Sequence, residues 1–304
     1  MDRRCFMNTK SLAGLAILCT LYLLYNYSNY SPPNTQHEEY LTSPQHSHIL
    51  IVSGYRSGST TFAAILNSDE EVFLLSEPLN RRDEIMSHLD GLHLREYVTY
   101  VTESVLRCEF ENLETEHFAR LVDPYLQYIG NKNEEATACG DNISCLVKLC
   151  EKYSIHLTKF VRISLDQVAH FIDKYKNIKI IWLHRDPRAI WNQKLKKDWC
   201  TPIICRNIDL MCQQFTENLE ISRKLLIENP NQFTIVKFED LLQNPVEEIT
   251  RIAEFTGLNK DQLLNNGNIG QFTGERHSWQ SELSAVELHR VEEKCRVGIS
   301  QLGY

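Results

Sequence analysis

Two short stretches hold the residues best suited to chemistry. The first, Gly54-Tyr55-Arg56-Ser57-Gly58-Ser59-Thr60-Thr61, gathers small and hydroxyl side chains around one arginine. Where such a turn leads from a strand into a helix, free backbone N–H groups and the positive helix end converge into a cradle for an anion. The hydroxyls of Ser57, Ser59, Thr60 and Thr61 add donors, and Arg56 adds a cation able to grip phosphate or sulfate oxygens through two parallel bonds. The pattern suits a phosphate ester. It is not a nucleoside-triphosphate loop: where GxxxxGK[ST] requires its second glycine stands Ser59, and no lysine follows, so a kinase using ATP and Mg²⁺ lacks its principal cation.

The second stretch is His184-Arg185-Asp186-Pro187-Arg188-Ala189, at the end of an apolar run. Ligands of open α/β sheets bind beyond the carboxyl ends of the strands, so Arg185 and the first cradle are expected to face one ligand from two strands. Glu77 follows a further apolar run and precedes Pro78. A carboxylate there, close to a donor cradle, suits a general base that takes a proton from an attacking hydroxyl; capping of the turn before Pro78 is the alternative role. The 11 histidines are scattered, and His184 reads as structural as readily as functional. Lys194, Lys196, Lys197 and Asp198 read as a solvated helix face, and Trp199 and Trp279 are open as sugar-stacking platforms.

These residues need a scaffold. His48–Ser53, Glu71–Ser76, Ile178–His184 and Gln232–Phe238 are short apolar, β-branched or aromatic runs that read as strands, with Phe160–Arg162 a shorter candidate. Helical periodicity separates them over Thr61–Leu66, over about 85–128 and from Pro245 to Thr256, and Gly130–Ser144 reads as an exposed loop. Strands alternating with helices predict an α/β fold with a parallel sheet and crossover helices.

Composition narrows the class. The 304 residues carry 32 basic and 40 acidic side chains, a net charge of −8, so no general basic field exists to hold a nucleic acid and no such partner is expected. From Ser11 to Tyr25 no residue is charged; Arg3, Arg4 and Lys10 precede the run and the next charge is Glu38. That asymmetry predicts a cytosolic tail (1–10), a membrane signal anchor (11–27), a luminal stem (28–47) and a luminal domain (48–304). A cleaved signal peptide is the alternative, although no small-x-small cleavage site follows in Asn26–Tyr30. Eight of the ten cysteines lie beyond residue 100, an even number that suits disulfides in a secretory compartment, with Cys200–Cys205 a local loop. No CxxC or accompanying histidine spacing calls for a metal. Sequons stand at Asn26, Asn29 and Asn142, the last best placed for a glycan.

In order along the chain, Arg56-Ser57-Gly58-Ser59, Glu77-Pro78-Leu79, Arg185-Asp186-Pro187-Arg188-Ala189, Phe238-Glu239-Asp240-Leu241 and Leu302-Gly303-Tyr304 resemble the motifs of the Golgi galactose/N-acetylglucosamine/N-acetylgalactosamine 6-O-sulfotransferase family. The resemblance implies the P-loop-like sulfotransferase fold, PAPS (3′-phosphoadenosine 5′-phosphosulfate) as donor without a metal, and a glycan or glycosaminoglycan acceptor. It implies a single-pass Golgi membrane protein and leaves room for a homodimer. Carried over, Arg56, Ser57, Gly58, Ser59, Thr60 and Thr61 would hold the 5′-phosphosulfate, Arg185 the 3′-phosphate, and Glu77 would be the base while Arg56 stabilises the leaving phosphate. Gln193 stands where the family has a serine, and Arg276 and Trp279 stand near its donor-covering loop with shorter spacing. A luminal relative that binds PAP or glycan without turnover is the competing expectation.

Overall fold

Apolar runs without alternation suit strands covered on both faces. They form the centre of the structure, a computed structural model in which residues 46–79, 91–112, 138–139, 142–161, 163–201, 205–266, 269 and 278–304 are described. Five strands, β1 (Ser47–Ser53), β2 (Val72–Ser76), β3 (Ile155–Phe160), β4 (Ile178–His184) and β5 (Phe233–Lys237), pair in the order β2-β3-β1-β4-β5, every pair parallel. Ile49, Leu50, Ile51 and Val52 of β1 are buried, as the innermost strand requires. The strand expected near Phe160 begins earlier, at Ile155, because His156, Thr158 and Lys159 are buried in it despite their polarity.

Parallel pairing brings all five carboxyl ends to one edge. There, helix α1 (Ser59–Leu66) follows β1 and α6 (Pro187–Leu195) follows β4. Between them in sequence lie α2 (Gly91–Leu106), α3 (Ile143–Lys152), α4 (Leu165–Val168) and α5 (Phe171–Lys174). After α6 come α7 (Ile208–Glu228), α8 (Phe238–Gln243), α9 (Pro245–Thr256), α10 (Lys260–Leu264), α11 (Ser278–Glu282), α12 (Ala285–Lys294) and α13 (Arg296–Gln301). Asp186 caps α6, its side chain accepting from the Arg188 N–H, with Pro187 in the first turn where a missing N–H costs nothing. Ser144, expected at the end of a loop, is helical: Asn142, the sequon residue, caps α3 by accepting from the Cys145 N–H at 3.1 Å, and most of the stretch before it lies outside the described residues.

Helix α7 packs on the sheet through Phe215, whose ring lies 6.0 Å from that of Trp182 on β4. Gly298 of α13 also packs against Phe215; a Cβ there would come within 2.3 Å of the ring. All eight cysteines beyond residue 100 are bonded, as Cys108–Cys150, Cys139–Cys145, Cys200–Cys205 and Cys212–Cys295. The last pair joins α7 to the turn between α12 and α13. His156 lies near Cys108 and Cys150, but those sulfurs are bonded to each other and offer no thiolate to a metal. Residues Pro44–Tyr304 form one unit. No described helix is long and apolar enough to cross a membrane; the expected anchor (11–27), nearly all of the stem, Arg276 and the sequons at Asn26 and Asn29 lie outside the described residues.

Candidate functional site

The chain leaves β1 at Ser53 and turns through Gly54–Gly58 into α1. Ser57 closes this turn from within: it is fully buried, its Oγ donates to the Gly54 carbonyl at 2.8 Å, and its N–H points at the same oxygen at 3.4 Å. Its hydroxyl proton, expected to serve a ligand, therefore serves the loop. Gly58 precedes α1 at φ 90°, where a side chain is strained, and a Cβ would meet the Phe238 ring at 2.0 Å. Arg56, exposed on the turn, also has positive φ, 68°. The first turn of α1 has no side-chain cap and no acidic residue, which leaves its N–H groups and positive end to an anion, beside the hydroxyls of Ser59, Thr60 and Thr61.

Arg185, at the end of β4, reaches the same turn. Its guanidinium donates to the Arg56 carbonyl at 3.3 Å and lies 4.7 Å above the Phe238 ring. Burial pulls Arg185 below its ordinary pKa; Glu239 opposes that shift and the neighbouring Arg56 adds to it. Two guanidinia that repel each other beside an uncapped helix start are what an anion would relieve. Gln193 lies on α6, half-buried.

Glu77 reaches the cradle by an unexpected route. Its strand β2 is not beside β1; β3 lies between them and supplies Lys159. The Lys159 ammonium donates to Glu77 Oε1 at 2.9 Å and to Thr60 Oγ1 at 3.2 Å, while the Glu77 N–H donates to the Lys159 carbonyl at 2.8 Å. Lys159 is buried and Glu77 is 28% exposed, so the carboxylate keeps a face to the solvent. Glu77 too has positive φ, 56°. Strained non-glycine backbone costs about 1–3 kcal/mol per residue and concentrates at functional sites; among the described residues it occurs at Arg56 and Glu77 beside the cradle and at the disulfide-bonded Cys108. Lys159 is not evident from sequence, because it stands between Thr158 and Phe160 in a strand of mixed polarity.

Behind the cradle runs a buried polar chain. Tyr304 donates its hydroxyl to Glu239 Oε2 at 3.1 Å and lies 2.6 Å from His184 Nδ1, while Glu239 Oε1 accepts the Asp186 N–H at 3.0 Å. Burial raises the Glu239 carboxyl pKa and the Tyr304 hydroxyl pKa, and burial, with Lys237, lowers His184 to about 3. A neutral His184 tied to Tyr304 is structural, and the chain's last residue holds together the ends of β4 and β5. Trp279 is buried beneath the Arg188 guanidinium, 4.3 Å from its ring, and is no sugar platform; Trp199 is 47% exposed. Lys194, expected on a solvated face, is instead buried, whereas Lys196 is exposed and pairs with Glu282.

The sequence model of the Sulfotransferase family matches residues 48–262, which hold both arginines, the cradle and the Glu77–Lys159 pair. The chain belongs to the Sulfotransferase family. Among similar curated proteins, human carbohydrate sulfotransferase 6 is 23% identical, the match covering 98% of this chain and 89% of that protein. Zebrafish (Danio rerio) carbohydrate sulfotransferase 1 is 24% identical over 94% of this chain and 81% of its own length. The sulfotransferase domain of the Synechococcus PCC 7002 olefin synthase shares the fold at a TM-score of 0.52 and 16% identity, covering 86% of this chain and 97% of that domain. The expected P-loop-like sheet flanked by helices is thus the sulfotransferase fold.

Proposed function

We propose that the protein transfers a sulfuryl group from PAPS to a carbohydrate hydroxyl, the 6-hydroxyl of Gal, GlcNAc or GalNAc in a glycan or glycosaminoglycan. The observation that carries this reading is the meeting of Arg56, Arg185 and the uncapped start of α1 at one turn, with the Glu77–Lys159 pair hydrogen-bonded into it through Thr60. These groups fit an anionic donor such as PAPS. Arg56, Gly58, Ser59, Thr60 and Thr61 would hold the 5′-phosphosulfate, and Arg185, with Gln193 on α6, the 3′-phosphate. The names of the similar carbohydrate sulfotransferases and the five ordered motifs support a sugar acceptor.

Bound PAPS supplies a sulfuryl group on a phosphate leaving group. Each residue then has one task. Glu77 accepts the proton of the attacking hydroxyl as the new S–O bond forms. Lys159 fixes that carboxylate in place and sets a cation between base and cradle. Arg56 and the first-turn N–H groups take up the charge that grows on the phosphate oxygen as the old S–O bond breaks.

The same reading places residues 11–27 in the Golgi membrane, single-pass with the tail cytosolic, and the domain from 48 onward in the lumen, with dimerisation open. Incubating the full-length protein, disulfides formed, with sulfur-labelled PAPS and oligosaccharides ending in Gal, GlcNAc or GalNAc tests the reaction. Label on one sugar class is expected. PAP binding with no transfer to any sugar would replace this reading with the non-catalytic relative.

A further inference from the structure

Beside the cradle, on the α7 side of the sheet, lies a cavity of about 120 Å³ lined by Ser53 and Tyr55 at the end of β1, Lys194 on α6, and Asn207, Gln214 and Asn218 at and on α7. At about 30 Å³ per water this is room for roughly four waters, or for a small charged substituent. Lys194 is only 5% exposed, yet no carboxylate lines the cavity and no described acidic side chain pairs with its ammonium. Its ammonium faces the Tyr55 ring, with Nζ 5.8 Å from the ring centre. An ammonium taken out of water without a counter-charge is costly, and ion pairs or ligands normally compensate it.

The cavity's other polar groups match that charge. Asn207 Oδ1 is used by the Leu210 N–H at 3.0 Å and Asn218 Oδ1 by the Leu165 N–H at 2.7 Å. Their amide N–H groups join the Lys194 ammonium as donors on one side of a cavity whose other walls, Leu183, Ile190 and Phe215 among them, are apolar, and that donor side suits an anion. Burial lowers the Lys194 ammonium to about 8, which leaves most of it charged at neutral pH. On the outer side, the Tyr55 ring stands 6.0 Å from that of Trp199, which is exposed, and an exposed aromatic next to a donor loop suits the apolar face of a sugar.

We infer that Lys194, with Asn207 and Asn218, binds an anionic substituent of the acceptor sugar chain, a carboxylate or sulfate ester, while Trp199 stacks on a sugar ring, so that the preferred acceptor is an acidic glycan. This rests on the sulfotransferase reading above and goes beyond it by naming the residues that would select acidic acceptors over neutral ones.

The test compares a neutral oligosaccharide with the same core carrying a uronate carboxylate or a sulfate ester, for wild type, Lys194→Met, Lys194→Arg and Trp199→Ala. Binding is measured calorimetrically with PAP present, and turnover with PAPS. Wild type is expected to favour one or both anionic forms, and the two arms tell carboxylate from sulfate. Lys194→Met should lose that preference by about tenfold or more while neutral-core and PAP binding stay unchanged, and Lys194→Arg should keep much of it. Trp199→Ala, at an exposed position, should weaken all acceptors together. Equal wild-type binding of neutral and acidic cores overturns the inference even if Lys194→Met fails to fold. So does a Lys194→Met defect that falls on PAP. Absence of turnover with intact acidic preference would remove the reaction and leave this site standing.

Discussion

Gly58 couples the fold to the donor cradle at one atom. In Gly58→Ala the new Cβ would stand 2.0 Å from Cε2 and 2.4 Å from Cδ2 of Phe238, on a residue held at φ 90°. The left-handed backbone costs an alanine about 1–2 kcal/mol. Forcing the ring aside adds about 1–3 kcal/mol, as overpacking of a filled site does. The loss should not be confined to stability, because the same ring underlies the Arg185 guanidinium at 4.7 Å. If Arg185 binds the 3′-phosphate as proposed, its displacement would forfeit a charged hydrogen bond worth about 1.5–3 kcal/mol, or roughly ten- to hundredfold in affinity. Urea unfolding and PAP titration of Gly58→Ala, Phe238→Leu and the double variant separate the parts. The smaller side chain should relieve the clash, so the double variant should bind PAP more tightly than Gly58→Ala alone, a coupling between touching residues. Strictly additive effects, or wild-type PAP affinity in Gly58→Ala, would refute the account of this contact.

Tyr304→Phe removes the hydroxyl that serves both Glu239 and His184; leaving buried polar groups unsatisfied should cost about 1–3 kcal/mol by urea unfolding, with no such loss from an exposed change such as Val286→Thr. His48, lowered to about 3 by burial and then by His156 and His46, and His156, lowered to about 4 by burial and His46, stay neutral in the fold while the unfolded chain protonates near 6.5. The unfolded state then binds more protons, so stability should fall with falling pH between about 6.5 and 4, by about 1.4 kcal/mol per pH unit for each histidine; His48→Asn should flatten the slope, and an unchanged slope contradicts the assignment. Replacing Cys212 and Cys295 by serine opens a link across 83 residues and should cost about 2–5 kcal/mol, read as a lower urea midpoint.

How far the sequence displays this architecture varies by element. The central strands β1 and β4 are predominantly apolar runs ending at glycine or at a charged motif, so their ends, and with them Arg56 and Arg185, could be located from pattern alone. Strand β3 mixes His156, Thr158 and Lys159 with Leu157 and Phe160, and no single-strand pattern marks which polar residues a sheet will bury. For the same reason the link from Glu77 to the cradle was hidden: Glu77 was expected near it by simple adjacency, whereas the strand order inserts β3 and makes Lys159 the intermediary. Cys200–Cys205 was legible because its partners are five positions apart, but Cys212–Cys295 depends on α7 meeting the end of α12. Lys194 shares a run with Lys196 and Lys197, and only the placement of α6 against the cavity separates the buried member from its solvated neighbours.

In the proposed reaction Glu77 removes a proton while a sulfuryl group moves from PAPS to a sugar. The most direct measurement follows sulfur-labelled PAPS in single turnovers, counting PAP released and label gained by the sugar, for wild type and Glu77→Gln with their PAP affinities measured alongside. One PAP per sulfated sugar in wild type is predicted, with the rate falling by about 10²- to 10⁴-fold in Glu77→Gln at little-changed PAP affinity. Wild-type rates in Glu77→Gln would contradict the assigned base, and PAP release without label on any sugar would contradict the transfer itself.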